Sequence, residues 1–166
     1  MVKLPRKIEF VALGADEFAD WRHSTLQGYA EQIMREGKSE QEAMAKALHD
    51  TDTLLSSGVQ TPGHHIVHIV TQAEDARRVG YLWWFVADKE GARRAFIFDI
   101  EIDTPFRRRG YARAALGVLE SWARREELAS VSLHVFASNT GAIALYESLG
   151  YVMTTQQKMT LVLTDV

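Results

Sequence analysis

The 166-residue chain is 46% hydrophobic and 25% charged, a balance that supports one buried core and excludes a disordered, collagenous or disulfide-dense chain. Nineteen basic against 22 acidic residues leave a net charge of −3, so no global basic field argues for nucleic acid. Cysteine is absent, which removes disulfides, thiolate-ligated zinc, iron–sulfur clusters and any cysteine nucleophile.

The opening MVKLPRKIEF leads into no apolar h-region, and no run approaches roughly 18 apolar residues. The expectation is a cytoplasmic chain with no membrane partner, forming a single domain over residues 1–166. Lys7 to Leu13 alternate weakly and predict a strand. Asp16 is placed to cap a helix carrying Phe18, Trp21, Thr25, Tyr29 and Ile33 at helical spacing, which Gly37 ends. Ser39-Glu40-Gln41-Glu42 is a capping box, and Met44, Ala47, Leu48, Thr51, Leu54 and Leu55 draw an apolar stripe behind it. Gly58 to His65 reads as a loop.

The period then changes. His65–Thr71, Val79–Ala87 and Ala95–Asp103 are β-branched and aromatic with short turns between them, which predicts an antiparallel meander. A helix follows with the stripe Ala112, Ala115, Leu116, Leu119, Trp122 and Ala123. Next come a strand in VSLHVFA, a helix from Asn139 to Leu149 closed by Gly150, and a last strand over Lys158–Thr164. Strand–helix–strand makes the strands at 96–103 and 131–137 parallel, so the fold class is α/β with a mixed sheet.

The junction Arg107-Arg108-Arg109-Gly110-Tyr111-Ala112 lies between a strand and a helix. A helix start offers unpaired backbone N–H groups and a positive dipole end, Gly110 admits a close backbone approach, and the arginines add local charge. A phosphate or pyrophosphate fits such a corner; a surface turn with solvated arginines is the plainer reading of an isolated RRRG.

The segment resembles the acyl-CoA motif of the GNAT superfamily of N-acetyltransferases, Gln/Arg-x-x-Gly-x-Gly/Ala, as Arg107-x-x-Gly110-x-Ala112. Asn139, Ala142, Leu145-Tyr146-Glu147 and Leu149-Gly150-Tyr151 are similar to its second signature. Ala112 stands for a commoner glycine and Tyr151 for a frequent phenylalanine. The motifs cover Phe96 to Tyr151; the N-terminal third matches by element order alone.

The resemblance implies a mixed sheet of about seven strands and about four helices, with the two parallel strands splayed to admit pantetheine. It implies that the backbone of Ile100, Glu101 and Ile102 pairs with pantetheine amides, one N–H polarising the thioester carbonyl. It implies that the amides of Arg108, Arg109, Gly110, Tyr111, Ala112 and Arg113, within the motif that Arg107 opens, cradle the pyrophosphate of acetyl-CoA. Asn139 matches a position near the thiol end, a role compatible with a plain helix N-cap. Tyr146 matches the residue that protonates the departing CoA thiolate, against a reading as a core aromatic.

An alkylammonium acceptor must lose a proton before it attacks. His134 lies five residues before Asn139, where some relatives that acetylate protein N-termini place a catalytic glutamate, and a histidine suits neutral pH. Asp99 and Glu101 compete for that role. Strand alternation puts them on one face, opposite Phe96, Phe98, Ile100 and Ile102. Water-mediated deprotonation needs no single base. His64, His65 and His68 lack the spacing of a metal site, so no metal is expected. Trp83 and Trp84 point to opposite faces, and Trp21 and Tyr29 read as core.

Together these imply an acyl-CoA-dependent N-acetyltransferase in which a small-molecule or peptide amine attacks the thioester directly in a ternary complex. The rival is a non-catalytic module that senses acyl-CoA or serves as an interaction surface. Many relatives dimerise, which by analogy admits a homodimer. The acceptor itself is not written in the residues.

Overall fold

In a computed structural model, residues 7–72, 76–155 and 158–164 are described; the leading residues 1–6, where a secretory signal would begin, lie outside them. The strands are β1 (Ile8–Ala12), β2 (His64–Thr71), β3 (Arg78–Lys89), β4 (Ala92–Ile102), β5 (Ser130–His134), β6 (Val152–Met153) and β7 (Lys158–Val162). The helices are α1 (Phe18–Arg35), α2 (Glu40–Leu54), α3 (Tyr111–Arg125) and α4 (Thr140–Glu147), with single 3-10 turns at Gly58–Gln60 and Thr104–Phe106. The chain divides into two compact units, residues 1–12 with 65–166 and residues 13–64.

The first unit is built on a seven-stranded open sheet in the order β1-β2-β3-β4-β5-β7-β6. β1 and β2, β3 and β4, β5 and β7, and β6 and β7 pair antiparallel, whereas β4 and β5 pair parallel. The predicted mixed sheet is present. The β3–β4 hairpin turns on Glu90-Gly91, both at positive φ (56° and 79°), the two-residue geometry that matches strand twist. Across the sheet Ile69, Val79, Leu82, Trp84, Ile97, Val131, Leu133 and Met159 join Ala115, Leu116, Leu119 and Ala123 of α3 in one core. That is the predicted α3 stripe, except that Ala112 and Trp122 are only half-buried.

Two features of β4 shape everything downstream. Trp84 pairs with Ile97 but Trp83 pairs with Asp99, so Phe98 is an extra residue, a β-bulge that reverses the alternation. Ala95 and Ile97 before it, and Ile100 and Ile102 after it, all belong with the core. The expectation that Phe96 lies opposite Asp99 and Glu101 is therefore wrong: the bulge returns both carboxylates to the face of Phe96. Moreover β4 and β5 are paired only from Arg94↔Ser130 to Ile97↔Leu133, and β5 ends at His134 rather than Ala137. Beyond Ile97 the two parallel strands part.

Other boundaries shift for local reasons. β7 stops at Val162, and the two-residue β6 beside it carried no periodic signal. In the second unit α1 starts at Phe18 without a side-chain cap, because the Glu17 carboxylate accepts from the Gly14 amide (3.0 Å) and Asp16 is not used. The capping box at Ser39 and Glu42 forms as predicted. The α2 stripe forms in part: Ala47, Thr51 and Leu55 are buried and Leu54 is half-buried, but Met44 and Leu48 are 39% and 44% exposed and Ala43 is buried in their place. Small residues thus take the most buried row of α2, and the larger Met44 and Leu48 stay outside it. Arg22 pairs with Asp52, and the Tyr29 hydroxyl donates to Asp50 (3.0 Å), which ties the two helices together.

Candidate active site

β4 delivers the chain to the turn through Thr104-Pro105-Phe106. There Arg108 (φ 60°) and Gly110 (φ 89°) take the left-handed conformation. Gly110 is the N-cap of α3 and, lacking a side chain, leaves the first-turn amides without a side-chain cap. Arg107, Arg108, Arg109 and Gly110 are exposed, and Tyr111 and Ala112 are half-buried. The corner is not plugged by a capping side chain, and the macrodipole favours an anion there. Tyr111 meets Phe106 edge-on (6.1 Å between centroids), and Arg113 reaches across to the Ser148 hydroxyl (2.5 Å) at the end of α4. The Arg107 guanidinium turns back onto β4, its Nε donating to the Ile102 carbonyl (2.8 Å) and its Nη2 to Glu101 Oε1 (3.2 Å).

Ile100, Glu101 and Ile102 pair with Leu82, Tyr81 and Gly80 on the β3 side, past the last β5 pair. On the face away from the core, Trp83, Phe98, Phe96 and His134 form a row of ring contacts at 4.8, 5.1 and 5.1 Å. Next to it the buried Tyr81 hydroxyl donates to Asp99 Oδ2 at 2.5 Å and lies 3.3 Å from Glu101 Oε2. Burial pushes the Asp99 carboxyl up to about 6; the Glu101 charge adds to this, while the Tyr81 hydroxyl and the Ile100 amide pull against it.

Tyr146 enters from α4, 7% exposed, its ring 5.6 Å from that of Tyr151. Burial pushes its phenol up to about 12, and the charge of Asp99 contributes, so the two groups lie within each other's field. Burial raises the Tyr151 phenol as well. A carboxyl raised toward neutrality and a phenol that keeps its proton, coupled through the charge of Asp99, suit acid–base chemistry.

Asn139 is the N-cap of α4, its Oδ1 accepting from the Ala142 amide (3.2 Å). His134 is exposed at the end of β5, and among the described residues its ring meets Phe96 and neither Asp99 nor Tyr146. The structure therefore brings Asp99 and Glu101 together at the Tyr81 hydroxyl, sets Tyr146 within reach of the Asp99 charge, and leaves His134 at the far end of the aromatic row. Sequence reasoning missed Tyr81; its one signal was a tyrosine in an otherwise apolar strand. His65 stacks on Trp84 (4.8 Å), and no group of three or more side chains suited to a metal is found among the described residues. No helix among them is long and apolar enough to cross a membrane.

The sequence model of the acetyltransferase (GNAT) family matches residues 27–151. The uncharacterized N-acetyltransferase YycN of Bacillus subtilis is 33% identical over 147 residues, covering 87% of this chain and 92% of its own. The crystal structure of YycN superposes with a TM-score of 0.83 at 30% identity, covering 96% of this chain and 98% of that one. The [ribosomal protein bS18]-alanine N-acetyltransferase of Escherichia coli is 44% identical over 57 residues, 34% of this chain and 38% of its own. A spermidine N-acetyltransferase from Vibrio cholerae, in complex with CoA and spermine, shares the fold with a TM-score of 0.66 at 15% identity, covering 94% of this chain and 95% of that one. The open β4–β5 edge, the uncapped start of α3 and both signatures fall inside the matched span, and the chain belongs to the acetyltransferase (GNAT) family.

Proposed function

We propose that the chain moves an acetyl group from acetyl-CoA to a primary amine by direct attack in a ternary complex, with Asp99 as the general base and Tyr146 as the general acid. The observation that carries this is the carboxyl–phenol pair beside the unpaired end of β4. The diphosphate of acetyl-CoA meets the amides at the start of α3, and the pantetheine arm follows the gap where β4 and β5 part. An alkylammonium acceptor gives its proton to Asp99, and the freed nitrogen attacks the thioester carbonyl. As the tetrahedral intermediate collapses, the C–S bond breaks, Tyr146 protonates the departing thiolate, and the surplus proton on the attacking nitrogen passes to the phenolate and restores Tyr146. No cysteine is present to form an acyl-enzyme, which favours the ternary complex.

His134 is exposed and packs on Phe96, so Asp99 is the better placed base. The family match crosses from one compact unit into the other, which supports treating residues 1–166 as one acetyltransferase domain. Relatives that act on polyamines and on a protein alanine support an amine acceptor, small-molecule or peptide.

The test is CoA-thiol release against a panel of amines, with acetyl-CoA and acceptor varied together. Intersecting initial-rate lines and an acidic limb of kcat/KM near pH 6 that disappears in Asp99→Asn are expected. Parallel lines, or an acidic limb that survives that substitution, would overturn the assignment.

A further inference from the structure

Arg107 opens the diphosphate motif, yet its guanidinium is committed elsewhere: two of its nitrogens hold the Ile102 carbonyl (2.8 Å) and Glu101 Oε1 (3.2 Å). The other carboxylate oxygen of Glu101 lies 3.3 Å from the Tyr81 hydroxyl, which donates to Asp99 at 2.5 Å. A continuous series of polar contacts thus runs from the turn that meets the cofactor to the carboxyl that meets the acceptor.

We propose that Tyr81, directly, and Arg107, through Glu101, are positioning residues that fix the orientation and charge of Asp99, so that Arg107 serves the base rather than the diphosphate. The inference rests on Asp99 being the base of the reaction above. A planar guanidinium fork suits the task, since it engages a carbonyl and a carboxylate at once, which an ammonium does not reproduce. Tyr81 has one proton for two carboxylates; the short bond goes to Asp99, and Glu101 is left to Arg107.

The groups that act on Asp99 come from three elements: Tyr81 of β3, Glu101 and the Ile100 amide of β4, and Tyr146 of α4. From β5, His134 packs on Phe96. The signs therefore differ between substitutions. Removing the Tyr81 hydroxyl takes away a donor that favours the ionised carboxyl, and removing the Arg107 cation weakens the screening of Glu101; both hinder ionisation of Asp99. Removing the Glu101 charge eases it.

The experiment follows the Asp99 carboxyl by 13C NMR titration of aspartate-labelled protein and, in parallel, the acidic limb of kcat/KM. Tyr81→Phe and Arg107→Met are expected to move both upward by about half a pH unit, Glu101→Gln to move both downward, and Arg107→Lys to fall between Arg107→Met and the native chain. The CoA dissociation constant should change by less than about threefold in Arg107→Met, since that side chain is held by the strand and not by phosphate. An unmoved carboxyl titration in both Arg107 variants, or a large loss of CoA affinity without such movement, would overturn the inference and make Arg107 a cofactor ligand. A titration that moves as stated while the acidic limb ignores Asp99→Asn would uphold the coupling and refute only the base assignment.

Discussion

On the proposed mechanism, Asp99 and Tyr146 answer opposite demands. The base must ionise close to neutrality, and partial burial together with the Glu101 charge brings a carboxyl there; the acid must still hold its proton, and deep burial keeps a phenol protonated up to about 12. Tyr146→Phe is expected to lower kcat by about 100-fold with little change in the KM for acetyl-CoA, because a proton donated only during collapse contributes to the transition state and not to binding. Steady-state kinetics check this, and wild-type kcat should show no alkaline limb from this group below about pH 10. The second signature singles out Tyr146 by its spacing. The proposed base was one choice among four, since nothing in a strand's letters tells which carboxylate is dehydrated.

Among the elements, β4 is the one whose reading had to be revised. Counting from the Glu90-Gly91 turn in unbroken register sets Tyr81 opposite Ile100; the extra residue at Phe98 sets it opposite Glu101 instead. An apolar run such as Phe96-Ile97-Phe98 gives no hint of which residue stands out of the ladder, so the tyrosine–carboxylate contact was invisible before folding. One neighbouring letter was informative. A Cβ built on Gly80 would stand 2.0 Å from the Glu101 carbonyl, so glycine in that strand marks a close backbone approach. Gly80→Ala is accordingly expected to push the end of β4 away from β3, lengthen the Tyr81–Asp99 contact and lower both melting temperature and kcat, measured by calorimetry and rate assay. Retention of both would mean that the strands separate without consequence at this point. By contrast, the α3 stripe and its RRRG start were legible because an amphipathic helix and a glycine at positive φ are local properties; the α2 stripe was legible only in part, because Met44 and Leu48 compete with Ala43 for the buried row and packing chooses the smaller residue.

For the molecule as a whole, an elevated carboxyl is a thermodynamic burden. The folded chain keeps a proton on Asp99 that the unfolded chain gives up near its ordinary value, so this group's contribution to stability declines as pH rises from about 4 to about 6 and stays lost above that. Asp99→Asn should therefore melt higher than the native chain at pH 8, by several degrees for a cost on the order of 3 kcal/mol, and the gain should vanish toward pH 4. A variant that is inactive and no more stable at pH 8 would point to a carboxyl not strained by its surroundings. The order of elements across the chain was readable from periodicity, while its division into two compact units was not, since no composition change marks residues 13 and 64. The irregularity at Phe98 has an evolutionary corollary. By inserting a phase change into one strand, it seats Ala95, Ile97, Ile100 and Ile102 in the hydrocarbon interior while Asp99 and Glu101 stand on the other side with Phe96. Descendants can thus redraw the polar side of the strand, residue by residue, without renegotiating the side that keeps the protein folded.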